Sequence, residues 1–331
     1  MPKVELHVHL EGSILPRTLL KLAKRNHISL PANDEAGLAQ LYRFRNFGHF
    51  LDTYMMVTGT LRTPDDFRLI AYEFGSECAR QNIRYAEVTF TILTSTKLTG
   101  LPWQEIVNGL NVGREQAHND YGVWWQWVFD IVRNLPETQR SVLEITLAAR
   151  QMGVIALGLG GSEDGYPPEL FVDTFTRAQN EGLHRVPHAG EIAGPQSVWS
   201  AIKLLHAERI GHGVRSIEDP GLIDYLRSDS IPLEVCPTSN ICLNIYPDYA
   251  HHPLRKLWDA GLLLTIGSDD PPMFGTDLNH EYQLLVDKFG FTQSDLERIS
   301  MNAIRASFLS PVEKQKLTKE FHDEFTRLTK G

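Results

Sequence analysis

The sequence is poor in cysteine and contains no long apolar run. Its three cysteines, Cys78, Cys236 and Cys242, are too few and too scattered for a disulfide framework. We therefore expect small buried apolar side chains at these positions and a reducing, cytoplasmic location. Because no apolar stretch reaches the ~18–20 residues that a membrane span needs, we expect no membrane association.

Basic residues are also scarce. The chain has 32 lysines and arginines against 41 aspartates and glutamates, a net charge of −9, and no basic run. A nucleic-acid partner is not expected, since phosphate binding needs a basic patch. The 331 residues contain no linker, repeat or low-complexity segment. We predict one domain over residues 1–331 that acts on a small molecule.

Eight strand-like segments alternate with helical patterns along the chain. The predicted strands are Val4–His9, Arg84–Phe90, Val123–Val132, Gly153–Leu159, Leu183–Ala189, Glu208–Gly213, Ile231–Cys236 and Leu262–Ser268. The helical patterns between them cover Trp103–His118, Pro136–Gln151, Glu169–Glu181, Gln196–His206, Ile217–Arg227 and Pro253–Ala260. This alternation predicts an α/β fold, a (β/α)8 TIM barrel. A doubly wound open sheet is the alternative, but no G-x-G-x-x-G follows the first strand.

A long helical excursion follows the first strand. Residues 27–80 contain no strand signal, and we expect a helical insertion there. Thr63-Pro64-Asp65-Asp66 is typical of a helix start, with an N-cap, a first-turn proline and first-turn acids. The aromatic side chains of this insertion either pack in the core or form an apolar lid over a site. Residues 280–331 are predicted to be helical to the end of the chain.

Histidines and carboxylates gather at predicted strand ends, where barrel enzymes place their chemistry. His7 and His9 alternate with apolar residues and therefore share one face of a strand. An H-x-H pair can hold zinc, although iron and manganese use similar ligands. Four further candidates follow later strands, and each alone could be an ordinary loop or cap residue: His188, Glu191, His212 and the pair Asp269-Asp270. Their shared position favours a single metal site.

Five motifs carry a resemblance to the adenosine deaminase family of zinc amidohydrolases. They are H-V-H-L-E-G, H-A-G-E, R-I-G-H-G, E-V-C-P-T-S-N and S-D-D-P, and they occur in the family's order over nearly the whole chain. The resemblance implies one Zn²⁺ per chain, with site residues as follows: metal ligands His7, His9, His188 and Asp269; Glu191 as the proton donor to purine N1; His212 to orient and help deprotonate the attacking water; and Asp270 and Gly161 at purine N7 and N3.

The chemistry of purine deamination fits those residue types. Water adds at C6 of a 6-aminopurine only if it is activated and if N1 takes a proton. A bound Zn²⁺ lowers the pKa of water towards ~7, and a buried carboxylic acid can supply the proton. Gly161 lacks a side chain, so its backbone can approach the ring edge. In a different subclass of the amidohydrolases, a modified lysine on strand four bridges two metals. The predicted fourth strand of this chain has no lysine, which favours a single ion.

The substrate is less constrained than the reaction. Glu11 stands where adenosine deaminases carry an aspartate near the sugar, and we expect Glu11 and the nearby His9 to contact the substrate. Gly161 is typical of the nucleoside enzymes, so we predict a 6-aminopurine nucleoside as substrate, in preference to adenine or AMP. The alternatives are adenine deaminase activity and a 5′-modified nucleoside such as aminodeoxyfutalosine. A non-catalytic purine-binding protein and a metal-dependent hydrolase of another bond are more remote.

Overall fold

Eight parallel strands form a barrel in the computed structural model, which describes residues 1–329. They are β1 (Lys3–His9), β2 (Ile83–Phe90), β3 (Trp124–Val132), β4 (Val154–Gly160), β5 (His184–Ala189), β6 (Ile210–His212), β7 (Leu233–Val235) and β8 (Leu264–Ile266). The strands pair in chain order, and a parallel bridge between Val8 and Asp269 joins the two ends of the sheet. The eight predicted strands and the (β/α)8 class are confirmed.

Within residues 1–329, sixteen α-helices surround and cover the barrel. They are α1 (Pro16–Arg25), α2 (Glu35–Leu41), α3 (Phe47–Thr58), α4 (Pro64–Arg80), α5 (Ile92–Thr99), α6 (Trp103–Tyr121), α7 (Gln139–Ala148), α8 (Val172–Asn180), α9 (Pro195–Leu204), α10 (Pro220–Ser228), α11 (Pro237–Cys242), α12 (Leu254–Asp259), α13 (Pro271–Phe274), α14 (Leu278–Phe289), α15 (Gln293–Ala306) and α16 (Pro311–Leu328). None of the helices within residues 1–329 is long and apolar enough to cross a membrane.

The helical excursion after β1 divides into two parts. The predicted start at Thr63 is confirmed, since Thr63 and Asp66 form a capping box on α4. This helix packs against β2 and α6 and so belongs to the outer ring of the barrel. The predicted insertion at 27–80 therefore extends too far, because only the chain before α4 is additional to the barrel. The short helices α5, α11 and α13 were not predicted, since segments of four to eight residues carry little periodicity.

The strands are buried on both faces. All seven residues of β1 are buried, and β3 places Trp125, Trp127 and Phe129 in the core with no exposed surface. Because both faces of a parallel barrel sheet are covered, β3 reads as a nearly continuous hydrophobic run, whereas β1 also buries the polar side chains of Lys3, Glu5, His7 and His9. Polar side chains inside the barrel therefore need partners, and those partners define the site.

Candidate active site

Closure of the barrel assembles a cluster of possible metal ligands. The backbone N–H of His9 donates to the Asp269 carbonyl (2.9 Å), and that of Asp269 donates to the His7 carbonyl (3.2 Å). Asp269 has a φ of +62°, which a non-glycine residue rarely adopts and which is common at functional sites. These contacts hold the Asp269 carboxylate beside the two histidines of β1.

The separations within the cluster are short enough for a single ion. His9 Nε2 lies 3.3 Å from His188 Nε2, and Asp269 Oδ1 lies 3.4 Å from Nε2 of both His7 and His9. Two atoms that each bind a metal at ~2.0–2.1 Å can lie ~3.3–3.4 Å apart. The buried His7 Nε2 has no hydrogen-bond partner within residues 1–329, as expected of a nitrogen that faces a metal. The residues His7, His9, His188 and Asp269 therefore fit a zinc ion.

Cys236 is an alternative ligand, since it lies in a second group with His7, His212 and Asp269. Its thiol donates a long hydrogen bond to the Glu234 carbonyl (Sγ–O 3.8 Å), so Cys236 has a partner of its own, whereas His7 Nε2 has none within residues 1–329. Cys78 is also buried, Cys242 is partly exposed, and all three cysteines are free thiols.

A buried carboxylate orients His7 from behind. Glu234 on β7 lies 3.0 Å from His7 Nδ1 and also accepts a hydrogen bond from Arg209 (2.5 Å). Arg209 in turn pairs with Glu87 (2.6 Å), and all of these side chains are buried. A ligand histidine whose second nitrogen donates to a carboxylate has a fixed ring orientation and tautomer. Glu234 therefore leaves His7 Nε2 free for the metal.

Glu163 fixes the loop that follows β5. Its carboxylate accepts the backbone N–H groups of Gly190, Glu191, Ile192 and Ala193 at 2.8–3.1 Å, and the Ser197 hydroxyl at 2.7 Å. Glu163 lies in the loop after β4 and is 5% exposed. One buried carboxylate thus sets the backbone on which Glu191 is carried, three residues beyond His188.

Glu191 has the surroundings of a buried acid. It is 4% exposed, and its Oε1 has no hydrogen-bond partner among the residues described. Burial, followed by the negative charges of Asp269 and Glu163, raises the pKa of Glu191 well above the ordinary value. A protonated Glu191 can donate a hydrogen to a ligand in the cavity.

A hydrogen-bond chain fixes the tautomer of His212. The backbone N–H of Leu254 can only donate, and it contacts His252 Nδ1 (3.2 Å). Neutral His252 therefore carries its proton on Nε2 and donates to Asn240 Oδ1 (3.0 Å). This turns the Asn240 amide nitrogen towards His212 Nδ1 (3.4 Å), which accepts.

The consequence is a hydrogen-bond donor inside the site. Burial lowers the pKa of His212 to about 3, so the ring is neutral. With Nδ1 accepting, its proton lies on Nε2, which is 3.7 Å from Glu191 Oε1 and 3.9 Å from Asp269 Oδ2. In this tautomer the ring can orient a water molecule by donation, but its Nε2 is not free to remove a proton.

The cavity beside the cluster encloses about 700 Å³. Metal-site residues form its floor, and α3 covers it with Phe47, Phe50, Leu51, Tyr54 and Met55. Phe50 stacks on Phe274 with the ring centroids 5.3 Å apart. The lid interpretation of these aromatic residues therefore holds for α3.

Asp270 and Gly161 both line this cavity. Burial and the charge of Asp269 raise the pKa of Asp270 well above the ordinary value, which makes it a second protonated acid. A side chain at Gly12 would lie 1.7 Å from Asp270 Oδ1, so only glycine leaves room for this carboxyl group. Gly161 has a φ of +91°, a conformation that favours glycine.

Glu11 lies elsewhere than we expected. It is completely buried and is absent from the cavity lining in the part of the chain that the structure describes. Its Oε1 accepts the backbone N–H of Thr91 (2.9 Å), behind the wall of the cavity. The other nine predicted assignments fall on residues that the structure brings together around this cavity, namely His7, His9, Gly161, His188, Glu191, His212, Asp269 and Asp270, with His9 predicted twice.

Sequence reasoning missed the residues that support the site. Glu163, Glu234 and Asn240 each act through a partner far along the chain, and His252 was considered only as a residue near the pocket mouth. Glu234 and Asn240 do lie in the E-V-C-P-T-S-N motif, so the motif itself was a signal.

Comparisons with known proteins identify the family and the fold of this chain. Residues 2–324 match the family described as adenosine deaminase. An aminodeoxyfutalosine deaminase from Streptomyces avermitilis is 41% identical over 98% of this chain and 91% of that protein. The crystal structure of an adenine deaminase from Arthrobacter aurescens has a TM-score of 0.94 and 32% identity over 98% of this chain and 99% of that one. An amidohydrolase from Burkholderia ambifaria, with bound Zn, has a TM-score of 0.92 and 28% identity over 100% and 92%.

Proposed function

Since the chain belongs to the adenosine deaminase family, whose members are hydrolytic deaminases acting on C–N bonds, we propose that it deaminates a 6-aminopurine nucleoside with one zinc ion. The observation that carries this proposal is the convergence in one cavity of a four-ligand cluster and two buried acids, Glu191 and Asp270. These groups lie in or just after strands from the beginning, the middle and the end of the chain, which supports treating residues 1–331 as one catalytic domain.

His7, His9, His188 and Asp269 would hold the ion. A bound Zn²⁺ lowers the pKa of water from 15.7 towards ~7 and so supplies the nucleophile. Glu234 supports this role because it keeps the proton of His7 on the nitrogen that faces away from the cluster.

Glu191 is the general acid in this proposal. Addition of water at C6 moves electron density onto N1, and the carboxylic acid of Glu191 gives N1 a proton as this happens. The proton removed from the water then passes to the amino group, the C6–N bond breaks, and ammonia leaves. Loss of the remaining hydroxyl proton to the Glu191 carboxylate gives the 6-oxopurine and restores the acid. The raised pKa of Glu191 supplies the protonated form that this step needs.

His212 orients the attacking water by donation from Nε2, as its hydrogen-bond chain requires. This differs from the expectation that His212 helps to remove a proton. The carboxylate of Asp269, 3.9 Å from His212 Nε2, is the proton acceptor in our account.

Asp270 and Gly161 would orient the purine. Purine N7 and N3 carry lone pairs and accept hydrogen bonds. Protonated Asp270 can donate to N7, and the backbone of Gly161 can approach N3 without a side chain in between. These contacts bring C6 to the metal side of the cavity.

A 5′-modified nucleoside is the second candidate substrate. The named activity of the Streptomyces avermitilis relative, aminodeoxyfutalosine deamination, supports it. The apolar face of α3, which includes the partly exposed Met55, could cover a large group attached to the sugar. The reaction is the same for both candidates.

The proposal is tested with purified, zinc-loaded protein and adenosine. We expect one zinc per chain, loss of the 6-aminopurine absorbance and release of one ammonia per adenosine. His188→Ala should lose both the zinc and the turnover, whereas His27→Ala, which changes a histidine far from the cluster, should keep both. A zinc-loaded enzyme that deaminates neither adenosine nor any 5′-modified adenosine would refute the proposal.

A further inference from the structure

Polar atoms without partners collect on one side of the cavity. Within residues 1–329, Asp130 Oδ1 and the Tyr54 hydroxyl are buried and make no hydrogen bond. Asp130 is 4% exposed and lines the cavity, as does Tyr54. An unpaired buried polar group costs ~1–3 kcal/mol, so such a cluster indicates that a ligand completes it.

Gly160 leaves room beside the Asp130 carboxylate. Asp130 is on β3, between Thr91, which follows β2, and Gly160, the last residue of β4. A side chain at Gly160 would lie 2.9 Å from Asp130 Oδ2. Glycine at this position therefore keeps the carboxylate open to the cavity.

The proposed purine orientation directs the N9 substituent towards Asp130. In a purine, N9 lies on the ring edge between N3 and N7, opposite the reacting C6. With N3 at Gly161 after β4 and N7 at Asp270 after β8, N9 faces away from His188 and Glu191 on the β5 side. The ends of β2 and β3, which carry Thr91 and Asp130, lie on that opposite side.

The charge of this region selects the kind of substituent. The cavity lining contains no lysine or arginine among the described residues, while Asp130 is acidic. A phosphate would meet the Asp130 carboxylate without a counter-charge, whereas a hydroxyl can donate to it. Burial raises the pKa of Asp130 to about 6, which still leaves an acceptor at neutral pH.

We propose that Asp130, with Thr91 and Tyr54 beside it, forms a subsite that binds hydroxyl groups of the substrate's sugar and so selects nucleosides over free bases and nucleotides. This inference rests on the proposed function, because it uses the purine orientation set by Gly161 and Asp270. It also assigns to Asp130 the sugar contact that sequence reasoning had assigned to Glu11.

The test is a thermodynamic cycle that combines a substitution in the enzyme with removal of a hydroxyl from the substrate. Adenosine, 2′-deoxyadenosine, 3′-deoxyadenosine, 5′-deoxyadenosine and 9-methyladenine are assayed with the wild-type enzyme and with Asp130→Asn. Such a cycle isolates the interaction between one hydroxyl and one side chain. We expect removal of at least one hydroxyl to lower kcat/KM of the wild type by about tenfold or more, chiefly through KM, a loss of ~1.4 kcal/mol.

In the Asp130→Asn enzyme, removal of the same hydroxyl from the substrate should lower kcat/KM by less than about threefold, which corresponds to ~0.7 kcal/mol or less. Because the amide oxygen of asparagine could still accept a hydrogen bond from the hydroxyl, Asp130→Ala is assayed as a second variant with no acceptor. Turnover of 9-methyladenine, which has no sugar, reports whether each variant retains its catalytic centre. Equal costs in the wild type and both variants would overturn the subsite. A wild-type enzyme that turns over no nucleoside would instead overturn the proposed function, before any variant is made.

Discussion

Glu191, Asp270 and Asp130 are three buried carboxyl groups in one cavity, yet their surroundings give them different protonation. Glu191 and Asp270 lie beside the charge of Asp269, which adds to burial and raises the pKa of both groups well above the ordinary value. Asp130 is on the opposite wall, and burial raises its pKa only to about 6. Near neutral pH the site therefore has donors where the purine nitrogens are expected and an acceptor where the sugar is expected.

Glu191→Gln tests the acid. The substitution keeps the shape of the side chain and removes its transferable proton. We expect kcat to fall by about 10²–10⁴, the usual contribution of general acid catalysis, with zinc content and KM nearly unchanged. Steady-state kinetics with metal analysis checks this. Near-normal kcat in the variant would show that N1 receives its proton from another group.

Asn240→Asp tests the tautomer of His212. An aspartate oxygen would replace the amide nitrogen that donates to His212 Nδ1, so the ring would move its proton away from the site. We expect kcat to fall by ~10–100-fold, as is typical when a supporting hydrogen bond is removed. KM should change little. Asn180→Asp, an equal change of charge at the exposed end of α8, is the control. Equal kcat values for the two variants would show that the hydrogen-bond chain through Asn240 does not control His212.

At the scale of elements, two loops act as one unit. The loop after β4 supplies Glu163, and the loop after β5 supplies the four N–H groups that Glu163 accepts. Because each loop is held by the other, the position of Glu191 depends on a residue that never touches the cavity. This contact crosses 27–30 positions of sequence, beyond the reach of any local pattern.

Glu163→Gln should loosen this unit. The amide has one acceptor oxygen and no charge, so some of the N–H groups would lose their partner. We expect a loss of ~1–3 kcal/mol in the free energy of unfolding and a lower kcat with zinc retained. Chemical denaturation and kinetics measure both effects. Asp164→Asn removes a neighbouring, exposed charge and serves as the control. If the two variants behave alike, Glu163 is not the organiser of the loop.

The strands and the start of α4 could be predicted because each depends on residues that are close in sequence. Strands such as β3 were found because buried parallel strands are nearly continuously apolar, and the start of α4 was found because its capping box lies within four residues. The boundary of the insertion was misplaced, because nothing in the sequence of α4 distinguishes a covering helix from a helix of the outer ring.

At the scale of the whole molecule, barrel closure converts scattered motifs into one site. His7 and His9 are separated from Asp269 by most of the chain, but the bridge between Val8 and Asp269 makes them neighbours. The ligand cluster was predictable because each ligand follows a recognisable strand. Glu11 was misplaced because the sequence shows that it follows β1 and does not show that its carboxylate turns towards Thr91.

The pH dependence of turnover belongs to this scale, because it reflects the summed field of the site. A raised pKa extends the protonated form of Glu191 to higher pH, and this acid form is lost as the pH rises through that pKa. We therefore expect kcat to decline on the alkaline side. In Glu191→Gln this alkaline decline should disappear from the residual activity, and its persistence would assign it to another group.

The central claim, deamination of a 6-aminopurine nucleoside, is tested most directly by a comparison of kcat/KM for four substrates. These are adenosine, a 5′-modified adenosine, adenine and AMP, each assayed by ultraviolet absorbance with the same zinc-loaded enzyme. We predict that at least one nucleoside exceeds both adenine and AMP by about tenfold or more, equivalent to ~1.4 kcal/mol of transition-state binding. If adenine exceeds every nucleoside by about tenfold, the enzyme acts on the free base and the account is wrong.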